Sequence, residues 1–277
     1  MTQPLFALAF LAALSCAAAI PAHASRDTLT VVTLNLWHDQ ADWPRRRALI
    51  LEELRVLRPD VVCLQEVLQH ETLPNQAVAL AESLGLRVTF ASVDPDGSPK
   101  RYGNAILSRH PMLRTAWKPL DPRSDYRTVA HMRLDFHGRP LDVFDTHLHH
   151  TPEGAPIRAE QIADLLGYVK QTRGRGMVVL AGDFNAAPDT PELRPVMAKF
   201  LDVFAAMDPA AAADSATTTL NPAKGLPRRR IDYVFTSRDG KPALRPLSAE
   251  IVFDRPAPDG AWPSDHFGVV ARFAVER

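Results

Sequence analysis

Seven short polar motifs, each at the end of an apolar run, constrain this chain more than any other feature. In order they are Thr33-Leu34-Asn35-Leu36, Leu64-Gln65-Glu66-Val67, Tyr102-Gly103-Asn104-Ala105, Asp145-Thr146-His147-Leu148, Gly182-Asp183-Phe184-Asn185, Ile231-Asp232-Tyr233 and Ser264-Asp265-His266-Phe267. Each carries an Asn, Asp, Glu or His. A globular core tolerates such residues only where they are paired or bind something. Seven of them at strand ends point to one shared polar site set into an apolar core.

The runs between the motifs read as alternating strands and helices. Leu29 to Leu36 is β-branched and forms a strand. Asp42 caps a helix carrying Leu49, Ile50, Leu54 and Leu57, which Pro59 stops. Val61 to Gln65 is a short buried strand with Glu66 at its C-terminal end. A helix over Thr72 to Leu84 closes at Gly85, and Leu86 to Ala91 is a strand. Asp94 to Pro99 is a loop rather than a calcium loop, because the remaining ligands are missing. Asn104 to Ser108 is a strand. Val129 to Phe136 and Leu141 to His147 form a hairpin around His137-Gly138-Arg139. Pro156 opens a helix with an apolar stripe through Ile157, Ile162, Leu165, Leu166 and Val169. Met177 to Ala181 is a buried strand that delivers Asp183 and Asn185, Ala210 to Ala213 is loop or frayed helix, and Arg230 to Phe235 and Phe267 to Phe273 are the last clear strands. The class is α/β with a mixed sheet.

The motifs run nearly the whole 277 residues, which favours one large domain. Residues 5–20 are apolar and Ala22-His23-Ala24 resembles a small-x-small cleavage site. No Lys or Arg precedes that stretch, and Cys16 sits in a poor lipobox. The expectation is a signal peptide over residues 1–24, a mature domain over residues 25–277, and a periplasmic or secreted location. Cys63 is then the only thiol, a small core residue in Val61-Val62-Cys63-Leu64. Lys plus Arg and Asp plus Glu each number 32. That balance excludes an overall basic field, although Arg123, Arg127 and Arg228 to Arg230 could gather locally.

The residue types suit a hard divalent cation, because Asn, Asp and Glu supply oxygen. Asn35, Glu66 and Asp265 are the candidate ligands for Mg2+, with Mn2+ or Ca2+ as alternatives. Asp232 could orient His266 by accepting from one ring nitrogen, as an acid/base pair requires. Asp183 could align or deprotonate water, and Asn185 could donate to a phosphoryl oxygen. Arg127 could hold a phosphate bidentately. His149 and His150 read as solvent or substrate-rim residues. A zinc site of His147, His149 and a carboxylate is the weaker alternative.

Together these residues resemble the endonuclease/exonuclease/phosphatase superfamily, the deoxyribonuclease I-like fold, over about residues 29–273. The Gly182 to Asn185 and Ser264 to Phe267 motifs are the most specific, and Leu64 to Val67 supports them in the right order. The resemblance implies an α/β (α+β) four-layer sandwich, two mixed and mostly antiparallel sheets face to face with helices outside. It implies metal-assisted hydrolysis of a phosphoester by in-line attack of water. Asn35, Glu66 and Asp265 match its metal positions. His147 matches its phosphate-contacting histidine, Asp183 and Asn185 the pair that positions nucleophile and phosphate, and Asp232 and His266 the orienting carboxylate and its histidine. Tyr102 and Asn104 fall where members line the phosphate pocket. The expected substrate is a phosphoester, a diester ahead of a monoester, with nucleic acid or a phospholipid head group as the alternatives; Trp117 and Trp262 are the candidate lipid contacts. No obligate protein partner is expected, and the chain reads as a monomer. A binding module that has lost catalysis would show gaps in this set, and none of the eight central positions is replaced.

Overall fold

In a computed structural model, residues 28–276 are described; the expected leader, its cleavage site and Cys16 lie outside the described residues. The alternation along the first strand explains the architecture. In β1 (Thr28–Asn35), Leu29 and Val31 join one apolar cluster while Val32 and Leu34 join another. Both faces of the strand are therefore covered, as expected for a strand with a layer on either side. β1 runs parallel to β2 (Val61–Gln69) through α1 (Trp43–Leu57), then come α2 (Gln76–Leu84), β3 (Arg87–Ser92) and β4 (Arg101–Ser108). β5 (Met112–Pro119), β6 (Thr128–Phe136) and β7 (Arg139–His147) follow, and α3 (Ala155–Thr172) carries the chain to β8 (Met177–Asp183), parallel to β7. The remaining elements are α4 (Arg194–Lys199), β9 (Phe200–Asp202), α5 (Val203–Met207), α6 (Pro209–Ala213), β10 (Asp232–Ser237), β11 (Leu244–Val252) and β12 (Gly268–Val275).

Two six-stranded sheets result, ordered β11-β12-β1-β2-β4-β3 and β5-β6-β7-β8-β10-β9. Each has one central parallel pair bridged by a helix and is otherwise antiparallel. One cluster lies between the sheets, from Leu29 and Val61 on one side to Leu141 and Val179 on the other. A second packs α1 and α2 on the first sheet, and a third packs α3 and α4 on the second. This is the expected four-layer sandwich. Cys63 lies fully buried between the sheets with a free thiol, and burial pushes its pKa up.

Local chemistry sets the element ends. Asp42 accepts from Arg45 N at the start of α1, and Arg58 ends that helix in left-handed conformation. His137 and Gly138 both have positive φ, as a two-residue hairpin turn requires. Several boundaries differ from the sequence reading; β4, for one, starts at Arg101 rather than Asn104. α2 starts at Gln76, because the Asn75 side chain accepts from Ala77 N and Val78 N and caps the helix there. β2 continues past Gln65 to Gln69 through a bulge opposite Asn104, with Glu66 at φ 54°. Ala210 to Ala213 belong to the short helix α6, capped by Asp208. The sequence reading missed β5, β9 and β11, all of them edge strands. β5 exposes Met112, Leu113 and Arg114, so it has no strict alternation to detect.

One buried charge network lies on the helix side of the second sheet. Asp142 Oδ1 is 2.8 Å from His131 Nε2 and accepts from Arg133 Nε at 2.8 Å; Oδ2 accepts from Gly174 N at 2.9 Å. Burial raises the carboxyl's pKa, but these three partners outweigh it and hold it below 3.8. A depressed carboxylate contributes stability above the unfolded pKa that is lost as pH falls through the folded one. Asp142→Asn should therefore destabilise the domain by about 3 kcal/mol at neutral pH. In denaturant titrations the gap to the wild type should narrow as pH falls below 3.8; a gap independent of pH would refute the account.

Candidate active site

The apolar face between the sheets turns polar at one end. Along β1 it reads Leu29, Val31, Thr33, Asn35; along β7, Leu141, Val143, Asp145, His147; along β8, Met177, Val179, Ala181, Asp183. Residues two apart share a face, so each strand delivers its last inward residue to the same end. Register then aligns them. His147 lies opposite Asp183 in the parallel pair, and Asp232, the first residue of β10, lies opposite Asp183 on the other side.

Asp183 is the centre, with 1% of its surface exposed. Its Oδ1 accepts from Asn185 N at 2.9 Å, and its Oδ2 accepts from Asn35 Nδ2 at 3.1 Å. His147 Nε2 and His266 Nε2 stand 3.5 and 3.8 Å from the same Oδ2. His266 Nδ1 lies 3.0 Å from Asp232 Oδ2. Asn185, at φ 50°, turns its amide back to donate to Leu148 O at 3.0 Å. The loop before β12 is pinned against β1, because Ser264 Oγ donates to Asn35 O at 2.7 Å and accepts from His266 N at 3.1 Å.

Electrostatics separate the two histidines. Burial would depress His266, but the carboxylates of Asp232, Asp183 and Asp265 outweigh it and raise its pKa to about 10. Burial depresses His147 well below 6.5, and the nearby Arg127, His266 and His150 add to the effect. The site therefore holds one imidazolium and one neutral imidazole. Asp183 is pushed up to about 7 by burial and by Asp232, against His266 and the donors Asn35 and Asn185 N.

These groups open on a cleft of about 320 Å³ lined by Glu66, Tyr102, Arg127, His147, Asp183 and His266, with Asn185 also on its wall. Arg127 is in the cleft, 3.4 Å from His150 Nδ1 and 3.8 Å from Asp125 Oδ2. Burial, then Glu66, raises the Tyr102 phenol, against the pull of the nearby Arg127. Asn104 is placed differently from expectation. Its Nδ2 donates to Thr128 O at 3.0 Å and ties the sheets together behind the cleft wall. Arg228 to Arg230 and Arg123 do not line the cleft: Arg230 is buried against Asp202 at 2.7 Å, and Arg123 pairs with Asp121. His149 Nδ1 is 2.8 Å from Asp125, which leaves no zinc pair with His147, while His150 is a rim residue. Trp262 stacks on Phe267, and Trp117 is exposed on β5.

The donor set suits a hard cation. Glu66 projects from its bulge into the cleft; burial raises the pKa of Asp265, and the Glu66 carboxylate adds to that against the pull of His266. Asn35 Oδ1 accepts from Trp37 N at 2.9 Å, which directs the oxygen and keeps a lone pair. A tighter group of ligand-type atoms, Asp183, Asp232 and His266, is accounted for by its own ion pairs.

Sequence reasoning overlooked His38 and Arg46. His38 lines the cleft 3.9 Å from Glu66 Oε2. Arg46 is 2% exposed and donates to the carbonyls of Leu36, His38, Gln40 and Pro263. Burial lowers its pKa to about 10 against the pull of Asp265, Glu66 and Asp39. A signal existed: Trp43, Arg46, Ile50 and Leu54 share the helical stripe that α1 buries, and an arginine there needs buried acceptors.

Two outcomes test this geometry. Asp232→Asn should lower the pKa of His266 in an NMR titration of the metal-free protein; an unchanged value would remove Asp232 as the cause. Gly182→Ala should displace Asp183, because φ is 135° and a Cβ would meet Thr146 O at 2.0 Å. A cost of about 2–3 kcal/mol would lower Tm by roughly 5–10 °C for a domain of this size; an unshifted melting curve would contradict it.

The same architecture occurs in known proteins. The catalytic domain of human Nocturnin, solved with a bound sulfate anion, superposes with a TM-score of 0.73 at 23% identity, covering 91% of this chain and 96% of that one. TDP2 of D. rerio, solved with a single-strand DNA product, gives 0.71 at 21% identity, covering 89% and 98%. Nocturnin of Drosophila melanogaster is 28% identical over 279 residues, 84% of this chain and 42% of that protein, so the chain spans less than half of that relative. Residues 32–266, from within β1 to His266, match the Endonuclease/Exonuclease/phosphatase family. With its paired sheets and its polar strand ends inside that span, the chain belongs to the endonuclease/exonuclease/phosphatase family.

Proposed function

We propose that this protein is a divalent-metal-dependent phosphoesterase that hydrolyses phosphodiesters by in-line attack of water. The observation that carries the reading is the buried Asp183 carboxylate, with two histidines of opposite charge state on one oxygen at the floor of a cleft that also holds Arg127. Asn35, Glu66 and Asp265 would hold the cation. When bound, a hard divalent ion polarises a phosphoryl oxygen and steadies the leaving oxyanion.

The protein's own groups supply the rest. Asp183 aligns the attacking water and accepts its proton, because its Oδ2 faces the cleft between the histidines. His266, held by Asp232, presents an Nε2–H to the phosphoryl oxygens and offsets their charge. Neutral His147 contributes a second donor, and the second amide hydrogen of Asn185 a third. Arg127 and Tyr102 bind the phosphate from the opposite wall. An imidazolium cannot accept a proton, so Asp183 rather than His266 is the base in this scheme.

A nucleic-acid diester is the first substrate to test, since the D. rerio TDP2 of similar fold is solved with a DNA product. The phospholipid alternative has less support, because Trp262 is stacked on Phe267 and Trp117 is a single exposed ring on an edge strand. The apolar residues 5–20 support an exported protein; N-terminal sequencing of mature protein tests export, and retention of Met1 would refute it.

The test is turnover of bis-p-nitrophenyl phosphate against p-nitrophenyl phosphate with magnesium, manganese, calcium or chelator. Diester cleavage abolished by chelator is expected. His266→Ala and Asp183→Asn should each lower kcat by about 10²–10⁴-fold without loss of fold. Monoester cleavage alone would overturn the diester preference, and full activity of Asp183→Asn would remove it as the base.

A further inference from the structure

At the end of the second sheet away from the cleft, a groove of about 1080 Å³ opens beside the C-terminal turn of α3. The loop into β8, the junction of α4 with β9 and the turn after β10 complete its walls. They carry six cations: Lys170, Arg173, Arg175, Lys199, Arg238 and Lys241. Among the described residues Asp239 is the only carboxylate that lines it, and Arg173 Nη1 takes it at 2.8 Å. None of the other five cations is in an ion pair among the described residues, and all five are exposed.

Helix electrostatics explain part of this. Cations favour the C-terminal end of a helix, which accounts for Lys170 and Arg173. It does not account for the other four, which arrive from separate segments. Backbone bonds draw those segments together: Lys241 N donates to Arg175 O and Arg238 N to Lys199 O, both at 3.2 Å. In a chain with equal numbers of acidic and basic residues, five uncompensated cations around one concavity repel one another and form a local field that attracts an anion.

The lining selects among anions. Its charged ends are exposed and long, and its floor is apolar, from Leu166, Val169 and the buried Phe200. A small ligand is read by a few precisely placed polar groups, which this floor does not supply. A membrane surface would want exposed apolar anchors beside the cations. The exposed large hydrophobic residues, among them Met112, Leu113, Trp117 and Leu247, all lie outside the groove. A flexible line of phosphates can be tracked by spaced cations along a concave surface. Among the described residues no exposed aromatic ring lines the groove for base stacking, so recognition here rests on the backbone.

We infer that this groove binds the sugar–phosphate backbone of a single-stranded polynucleotide, at a place separate from the cleft. β8 links the two: it starts at Met177, beside the groove, and ends at Asp183, roughly 20 Å away at about 3.3 Å per residue. A strand held here raises the effective concentration of its own esters at the cleft. The binding itself does not depend on what the cleft hydrolyses.

The test is fluorescence anisotropy of a labelled oligothymidylate with the full chain, in chelator, across a salt series. The variant combines Lys170→Glu, Arg175→Glu and Lys241→Glu, all exposed positions. A control of equal charge change combines Arg55→Glu, Arg87→Glu and Arg114→Glu. The groove variant should bind at least about tenfold more weakly at low salt. Its slope of log affinity against log salt should be shallower by about 2, at about 0.7 for each phosphate no longer neutralised. Its melting temperature should match the wild type, and the control should bind nearly as the wild type does. Equal affinity and slope for the groove variant would overturn the inference. So would an equal loss in the control, which would reduce the effect to net charge. Loss of binding to anionic phosphatidylserine vesicles with oligonucleotide binding intact would overturn it in favour of a membrane surface.

Discussion

The arrangement of this protein turns on burying one carboxylate. Asp183 lies in the space between two sheets, where an isolated charge would cost several kcal/mol. Asp232 adds to that cost, and the other groups around Asp183 answer it. Asn35 reaches across from the first sheet, Asn185 offers its backbone N–H, and His147 and His266 approach from either side. The contact between Asn35 and Asp183 joins residues 148 apart in sequence. It makes the same atoms a fastening between the sheets and the floor of the cleft.

Strand register turns that need into geometry. The parallel pairing of β7 with β8 and the antiparallel pairing of β8 with β10 put His147, Asp183 and Asp232 side by side in one row. A slip of one residue would turn all three to the helix-covered face. Above the row, Arg46 and Ser264 hold the chain after β1 and the loop before β12 against each other. Asp232 then sits where it can bond only one side of the His266 ring. The two histidines differ in charge state for a local reason: both approach Asp183, but only His266 is also bonded to Asp232, whereas burial and then the nearby cations Arg127, His266 and His150 hold His147 down.

Much of this was legible in the chain. Asn35, His147, Asp183, Asp232 and His266 stand at ends of apolar runs, and period-two alternation carries the inward face to them. Those five are in contact, directly or through one another. Glu66 was legible as a residue but not as a shape, because a bulge is a matter of pairing with β4 and leaves no period in one strand alone. Asn104 looked like a cleft residue from its motif, yet its amide is spent on Thr128, a partner that only the second sheet supplies. Arg228 to Arg230 formed the obvious basic run, but Arg230 is spent on Asp202. The cations that do gather come from three stretches of chain, residues 170–175, Lys199 and residues 238–241, and leave no run to notice.

Sequence alone determined the alternation of strands and helices, the α/β class with a mixed sheet, and the residues with no business in a core unless they shared a task. Those follow from local rules: alternation, capping and the cost of burying polar groups. Tertiary structure decided which polar groups spend their hydrogen bonds on each other and which remain free to face the cleft. It decided also the charge state of each histidine and the place where scattered cations become one field. These depend on distances between residues far apart in the chain, and hydrogen bonds and charges act through space rather than along the sequence.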